Sequence, residues 1–144
     1  MIALGQAVVV YGIAALFGGR FRGSLLLGLA ILLLSVFAYA GIGFLFGSRL
    51  SRRTEDVNGP VAAFGVPLLV LGGTFFPVSI LPPSLLAAAR LDPVFHMIEA
   101  MKGVSADGRS AAEIAPHLLF LIAFAGLSLL LGTRAYRRMV ADLA

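Results

Sequence analysis

Long stretches without a charged side chain constrain this sequence more than any other feature. Residues 1–19, 24–47 and 57–89 contain no Asp, Glu, Lys or Arg. Nineteen residues of α-helix rise about 28 Å, close to the roughly 30 Å thickness of the hydrocarbon core of a bilayer. Only 12% of the 144 residues are charged, and the mean hydropathy is +1.01. Because so little polar surface could not cover a globule in water, the sequence predicts an integral membrane protein.

The uncharged stretches predict an all-α, polytopic membrane helix bundle that forms a single transmembrane domain over residues 1–144. It has four transmembrane helices and a short helical hairpin before the last one. The predicted spans are about 1–19, 24–47, 58–77 and 114–133. Short turns between spans make neighbouring helices antiparallel, as at residues 18–23.

The third uncharged stretch is too long for one simple span, and its prolines indicate how it is divided. Pro60 can lie in the first helical turn, where its missing N–H costs nothing, and Pro67 should kink the helix. The Gly-Gly-Thr-Phe-Phe-Pro run at 72–77 should end it. Irregular backbone at membrane depth is tolerated only where it is buried in protein or faces water. We therefore expect residues 77–83 to leave the bilayer.

Residues 82–104 are apolar but interrupted by charged and polar side chains, which makes them unsuited to a simple span. Asp92 followed by Pro93 predicts a helix N-cap with proline at the first helical position, so two short helices should meet there. The segment is predicted to form a re-entrant or interfacial hairpin. Residues 105–110 are rich in turn-forming residues and predict a loop before the last span.

An even number of spans places both termini on one side of the membrane, together with the loop at 48–56. Six basic residues lie on that side and five on the other, so their number alone does not decide the orientation. The tight clusters at 49–53 and 134–138 favour the cytoplasmic side for both termini. The predicted location is the cell membrane, inner or plasma.

No arrangement of residues predicts a catalytic or metal site in this chain. His96 and Glu99 are three residues apart and could share a helix face, but a metal ion needs at least one more ligand. We interpret the pair as a wet, interfacial helix face. Neither a Gly-x-Ser-x-Gly motif nor a phosphate-binding Gly-x-x-x-x-Gly-Lys loop occurs. The basic residues flank apolar blocks, which is typical of membrane edges and not of nucleic-acid binding.

Glycines within the second span predict close helix packing. Gly43 and Gly47 form a small-xxx-small motif, and Gly41 is a third position without a side chain on the same helix. Small residues let helix backbones approach each other, either within one chain or between two chains.

Residues 49–104 carry several motifs in a characteristic order. A basic loop begins at Arg49 and leads through Glu-Asp-Val-Asn-Gly at 55–59 into the proline-containing span. Gly-Gly-Thr-Phe-Phe-Pro at 72–77 is followed by Leu-Pro at 81–82, and then by Leu-Asp-Pro-Val-Phe-His at 91–96. This order resembles the second half of the type-2 ABC exporter permeases, and the resemblance covers nearly all 144 residues.

The sequence also departs from that family's pattern. Gly72 stands where Ser is usual, Phe95 and His96 replace Leu-Thr, and Lys102 stands where Arg is common. Lys keeps the positive charge but lacks the planar guanidinium group with which Arg can donate two parallel hydrogen bonds. The family has six spans, and this chain matches the last four, so it resembles a partial permease domain.

The resemblance implies a membrane permease subunit of an ATP-driven exporter for a hydrophobic, lipid-like or glycan-type cargo. It implies a homodimer, or a pair with another permease half, surrounded by lipid. A separate ABC ATP-binding subunit would hold ATP and Mg and carry out hydrolysis, so this chain itself would not be an enzyme. The alternative is a non-transporting scaffold or regulatory subunit, or a truncated remnant of a permease. An enzyme that modifies lipids is a further alternative, with only His96 and Glu99 to offer a polar cluster.

The resemblance also implies two functional surfaces. The first is a cytoplasmic loop that faces the ATPase, for which membrane-edge anchoring is the alternative role: Arg49, Arg52, Arg53 and Glu55. The second is a re-entrant cap over the cargo path, for which loop structure and aromatic packing are the alternatives. Its residues are Gly72, Gly73, Phe75, Phe76, Pro77, Pro82, Asp92, Pro93, His96, Glu99 and Lys102.

Overall fold

A computed structural model describes residues 2–50 and 54–141, and all regular structure within these ranges is helical. The six α-helices are α1 (Ile2–Leu16), α2 (Leu25–Leu50), α3 (Thr54–Leu71), α4 (Pro83–Ala89), α5 (Pro93–Ser105) and α6 (Ala115–Ala141). One turn of 3₁₀ helix, Val78–Ile80, lies between α3 and α4. The all-α prediction is confirmed for the described part of the chain.

Helices α2 and α6 form the central pair of the fold, and they run parallel. Contacts advance in the same direction along both helices: Ala38 meets Ser128, Gly41 meets Gly132, and the rings of Phe44 and Tyr136 lie 6.3 Å apart. The buried positions recur every three or four residues, which defines one face of each helix. They are Gly28, Ile31, Ser35, Ala38 and Gly41 on α2, and Leu121, Ala125, Ser128, Gly132 and Ala135 on α6.

Small residues bring the two backbones into direct contact. A Cβ atom on Gly41 would lie 2.5 Å from the carbonyl carbon of Ser128, and one on Gly132 would lie 2.6 Å from the carbonyl oxygen of Gly41. The Ser128 hydroxyl donates across the interface to the carbonyl oxygen of Ala38 at 2.9 Å. This is the packing by small and hydroxyl side chains that is common between membrane helices.

The predicted glycine packing is confirmed at Gly41 and is not found within the chain at the other two positions. Nothing lies within 4 Å of a Cβ placed on Gly43 or Gly47. Both glycines line an open groove whose wall also includes Tyr136 and Met139 of α6, and neither is in packing contact with that helix. Packing of Gly43 and Gly47 between chains stays a prediction.

Two helices of the described part are long and apolar enough to cross a membrane, judged by length and composition. They are α2 over Leu25–Gly47 and α6 over Ala115–Ala141. The described part of α1 has 15 residues, and the apolar part of α3 is Val61–Leu71. A helical membrane bundle is consistent with these findings, whereas the four-span count stays a prediction.

Helix α3 starts earlier than expected, and the prediction for Pro60 is wrong. The helix already includes Thr54, so Pro60 lies beyond its first turn. Thr54 and the acidic residues Glu55 and Asp56 are types favoured at helix N-termini, which explains why the helix starts before the proline. The helix continues through Pro67 and ends at Leu71, so the predicted break at Gly72 is confirmed.

Helices α4 and α5 form the predicted pair of short helices, and α5 lies where α2 and α6 begin. Helix α5 packs against α2 and α6, and α3 contacts α4 and α5. Ala100 and Val104 of α5 share a buried cluster with Ile31 of α2 and Ile114 just before α6. The backbone N–H of Arg22 donates to the carbonyl oxygen of Ser105 at 3.0 Å, which ties the α1–α2 turn to the end of α5. Whether the pair re-enters the bilayer stays a prediction.

Candidate functional site

The segment after α3 reverses the chain and brings it against the start of α5. Gly73 has φ +86°, a left-handed conformation that glycine adopts without strain. A Cβ on Gly72 would lie 2.5 Å from Cγ1 of Val94, so the backbone of the α3 end lies directly on α5. The end of α3 and the beginning of α5 are therefore in close contact.

Asp92 caps α5 as predicted and is itself buried. Its Oδ1 accepts a hydrogen bond from the backbone N–H of Val94 at 2.9 Å, and Pro93 follows in the first turn. The residue is 2% exposed, and Oδ2 has no hydrogen-bond partner among the described residues. Burial raises the pKa of the Asp92 carboxyl, against the lowering effects of the Val94 N–H and the nearby His96. The cap thus places a carboxyl group with one unpaired oxygen at the α3–α5 contact.

His96 joins α5 to α6 through a second histidine. Its Nε2 lies 2.9 Å from the carbonyl oxygen of Arg90, and its Nδ1 lies 3.0 Å from Nδ1 of His117 on α6. Because a carbonyl oxygen only accepts, Nε2 of His96 carries a proton. In neutral His96, Nδ1 then accepts, and Nδ1 of His117 donates. The ring of Phe120 stacks on His96 with centroids 3.9 Å apart.

The interpretation of His96 as part of a wet helix face is wrong. His96 is buried between α5 and α6, since α5 packs against the beginning of α6. Glu99 and Lys102 form a separate, more exposed ion pair at 3.9 Å, with Lys102 58% exposed. Within the described ranges, no group of three or more His, Cys, Asp or Glu side chains could hold a metal ion.

His117 and Phe120 belong to this cluster but were not predicted from the sequence. A histidine at the start of a long apolar helix was the available signal, because a polar ring in such surroundings needs a hydrogen-bond partner. The sequence alone does not show that its partner is His96, 21 residues earlier.

Comparison with known protein families shows which family the chain belongs to. The model of the family described as "ABC-2 family transporter protein" matches residues 1–134. This chain belongs to the ABC-2 transporter family. The resemblance to type-2 ABC permeases is thereby confirmed. No curated protein matches the sequence.

Membership of the ABC-2 family makes the chain a membrane-embedded permease component of an ABC transporter. Such a permease is the membrane part of a transport system and pairs with an ATP-binding subunit. The outer faces of the helices fit a lipid surrounding, because large apolar side chains such as Leu16, Leu26 and Leu119 are exposed.

The ABC-2 permease brings some of the predicted cap residues together and leaves others apart. Gly72, Gly73, Asp92, Pro93 and His96 lie at or beside the contact between α3 and the hairpin. The rings of Phe75 and Phe76 are 62% and 52% exposed and lie 6.5 Å apart. Pro77 and Pro82 flank the 3₁₀ turn, with Pro82 at the N-cap of α4.

The predicted ATPase-facing residues of the ABC-2 permease fall where the structure gives little detail. Arg52 and Arg53 lie outside the described residues. Arg49 lies within α2 and Glu55 within α3. Their role stays a prediction.

Proposed function

We propose that this ABC-2 permease forms the translocation path of an ATP-driven exporter for a hydrophobic, lipid-like or glycan-type cargo. The observation that carries the proposal is the family match, because it extends over residues 1–134 and not over a short motif. Hydrolysis of ATP belongs to the partner subunit, and this chain converts the partner's movement into movement of its helices.

The parallel arrangement of α2 and α6 supports an additional crossing between them. If two parallel helices both cross the membrane in the same direction, the chain has to return across it in between. Helix α3 is the longest described helix between them. Together with the irregular segment that follows, α3 makes this return, as the third of four spans. Helix α1 precedes α2 through the short turn at 17–24 and makes the first crossing, with both termini in the cytoplasm.

The hairpin transmits movement between α3 and the central pair. Helices α2 and α6 move together, because Gly41 and Gly132 place their backbones in contact. Helix α5 touches α3 through Val94 and Gly72, and touches α6 through His96 and His117. A shift of α3 driven from the 48–56 loop therefore changes the packing of the hairpin. Rearrangements of this kind at packed helix interfaces are a common form of conformational switching.

Phe75 and Phe76 form an exposed aromatic surface at the far end of α3 from the 48–56 loop. Aromatic rings bind apolar cargo without requiring hydrogen bonds, which suits a hydrophobic or amphipathic molecule. We place the exit of the cargo path beside these rings, under the hairpin. A second permease chain or permease half completes the path.

Charge reversal in the 48–56 loop tests the coupling to the ATP-binding subunit. The double variant Arg52→Glu/Arg53→Glu should lower the amount of ATP-binding subunit that co-purifies by about tenfold, since each surface ion pair contributes at most about 1 kcal/mol. The matched control is Arg137→Glu/Arg138→Glu in the C-terminal basic cluster, which should retain the partner. Unchanged co-purification with the 52/53 variant would contradict this role for the loop.

A further inference from the structure

A mainly apolar cavity of about 490 Å³ lies between α1, the start of α2 and the end of α5. Its wall includes Val8, Tyr11 and Ala15 of α1, Leu29 of α2 and Met101 of α5. Ligand-binding pockets commonly have volumes of roughly 300–1,000 Å³. The cavity is therefore large enough to hold part of a ligand, and its wall favours an apolar one.

Two polar side chains of the lining belong to the connections and the ends of the helices. Arg20, in the α1–α2 turn, and Ser105, at the end of α5, both belong to its lining. Within the described ranges, no carboxylate lies within ion-pair distance of Arg20, and the Ser105 hydroxyl makes no hydrogen bond. The cavity thus combines an apolar wall with an unpaired cation, which is complementary to an amphipathic anion.

The position of the cavity relative to the spans matches the layers of a lipid leaflet. The span in α2 begins at Leu25, and the cavity extends along this helix from Leu25 to Leu32. Seven helical steps correspond to roughly 10 Å of depth below the membrane edge. Arg20 precedes the span and is exposed, as basic residues at the level of lipid headgroups are.

We propose that this cavity binds one acyl chain of an anionic phospholipid whose phosphate pairs with Arg20. The guanidinium group can donate two parallel hydrogen bonds to phosphate oxygens, and the Ser105 hydroxyl is available for a third. A protein segment in the same place would have to supply an anion at Arg20 or leave a desolvated cation unpaired. A phospholipid supplies both the apolar chain and the anion. This site does not depend on coupling to an ATP-binding subunit.

Photocrosslinking in vesicles tests the site. The full chain is reconstituted into phosphatidylcholine vesicles that contain a minor fraction of lipid with a photoactivatable acyl chain. This lipid is either phosphatidylglycerol or phosphatidylcholine, and labelled positions are found by peptide mass spectrometry. We expect phosphatidylglycerol to label the cavity wall about fivefold more than phosphatidylcholine, because one basic residue near an anionic headgroup gives a preference of this size.

Two pairs of variants separate the headgroup contact from the acyl-chain contact. Arg20→Gln should abolish the preference for phosphatidylglycerol and Arg20→Lys should keep most of it, while Arg90→Gln, an exposed arginine outside the cavity, should have no effect. Ala15→Phe should fill the cavity and reduce labelling of its wall, whereas Val9→Phe, on α1 but not in the lining, should not.

Three results would overturn the proposal. One is equal labelling by the two lipids. Another is a preference that survives Arg20→Gln. The third is an absence of labelling at the cavity wall with labelling elsewhere on α2, which would mean that protein covers the cavity.

Discussion

At the residue scale, the His96–His117 pair shows how two polar side chains are accommodated where α5 packs against α6. The Arg90 carbonyl oxygen fixes the proton of His96 on Nε2, which leaves Nδ1 to accept from His117. Each histidine ring is the hydrogen-bond partner of the other, and the rings of Phe95 and Phe120 make the surroundings apolar. Buried polar groups that lose such a partner are costly, so the pair ties the hairpin to α6 in one arrangement.

Removal of one histidine should therefore destabilise the protein. His117→Ala leaves Nδ1 of His96 without its partner and should lower the free energy of unfolding by about 1–3 kcal/mol. Lys102→Ala, on the exposed side of α5, should change it by no more than about 0.5 kcal/mol. Thermal unfolding in detergent measures both. The double variant His96→Ala/His117→Ala should lose less than the sum of the single variants, and strict additivity would contradict the pairing.

Asp92 gives a pH-dependent prediction. Its pKa is raised in the folded protein, so ionisation opposes folding. The contribution of this carboxyl to stability is most favourable below its unfolded pKa and is lost as the pH rises through the raised, folded pKa. Asp92→Asn keeps the helix cap, since Asn and Asp are equally good N-caps, and removes the charge. The variant should be more stable than the parent at neutral pH, with a difference that shrinks on acidification.

Thermal unfolding of Asp92→Asn and the parent across this pH range checks the prediction. The pKa of Glu113 is lowered by hydrogen bonds from the backbone N–H and the hydroxyl of Ser110, so its effect has the opposite sign and is lost as the pH falls. The contribution of Glu113 to stability is the same in the variant and the parent, so it cancels when the two are compared. A stability difference that grows on acidification would show that Asp92 is stabilised in its charged form.

At the element scale, the contact between α2 and α6 depends on a few small residues. Gly41→Ala would place a Cβ 2.5 Å from backbone atoms of α6, and the helices would have to separate. Overpacking of this kind costs about 1–3 kcal/mol. Gly43→Ala, two residues away, meets nothing within 4 Å and should be neutral or stabilising by up to about 1 kcal/mol, because Ala favours helix.

The two substitutions form a matched pair on one helix, measured by thermal unfolding in detergent. Equal effects of Gly41→Ala and Gly43→Ala on the unfolding temperature would contradict the contact between α2 and α6.

Features set by neighbouring residues could be predicted from the sequence. The Gly72–Gly73 break, the Asp92 cap with Pro93 and the long apolar helices α2 and α6 each depend on local chemistry, and the structure contains all of them. The proline alone does not predict where α3 begins, because Thr54 and the acidic residues before Pro60 also favour a helix N-terminus.

Features set by distant contacts could not be predicted. Gly41, Gly43 and Gly47 are equivalent in sequence, and only the rotation of α2 against α6 decides which one is buried. The partner of His96 likewise depends on how the hairpin folds back onto α6. The same applies to the cavity beside Arg20, whose wall combines three helices.

At the scale of the whole molecule, the proposed four-span topology can be tested by cysteine labelling. The chain contains no cysteine, so a single introduced cysteine reports one position. Ser110→Cys should react from outside intact cells with a membrane-impermeant maleimide. Ser51→Cys and Ala141→Cys should react only after permeabilisation. Equal reactivity of residues 51 and 110 in intact cells would mean that α3 does not return the chain across the membrane.

Coupling between this permease and its ATP-binding subunit is the central claim. Turnover of ATP by the co-purifying ATP-binding subunit, measured in lipid nanodiscs with and without this chain, tests that claim most directly. An exporter permease couples its own movements to the ATPase cycle, so the chain should raise turnover several-fold, and a hydrophobic cargo should raise it further. Binding of the ATP-binding subunit with unchanged turnover would contradict the transport function and favour a scaffold or regulatory subunit.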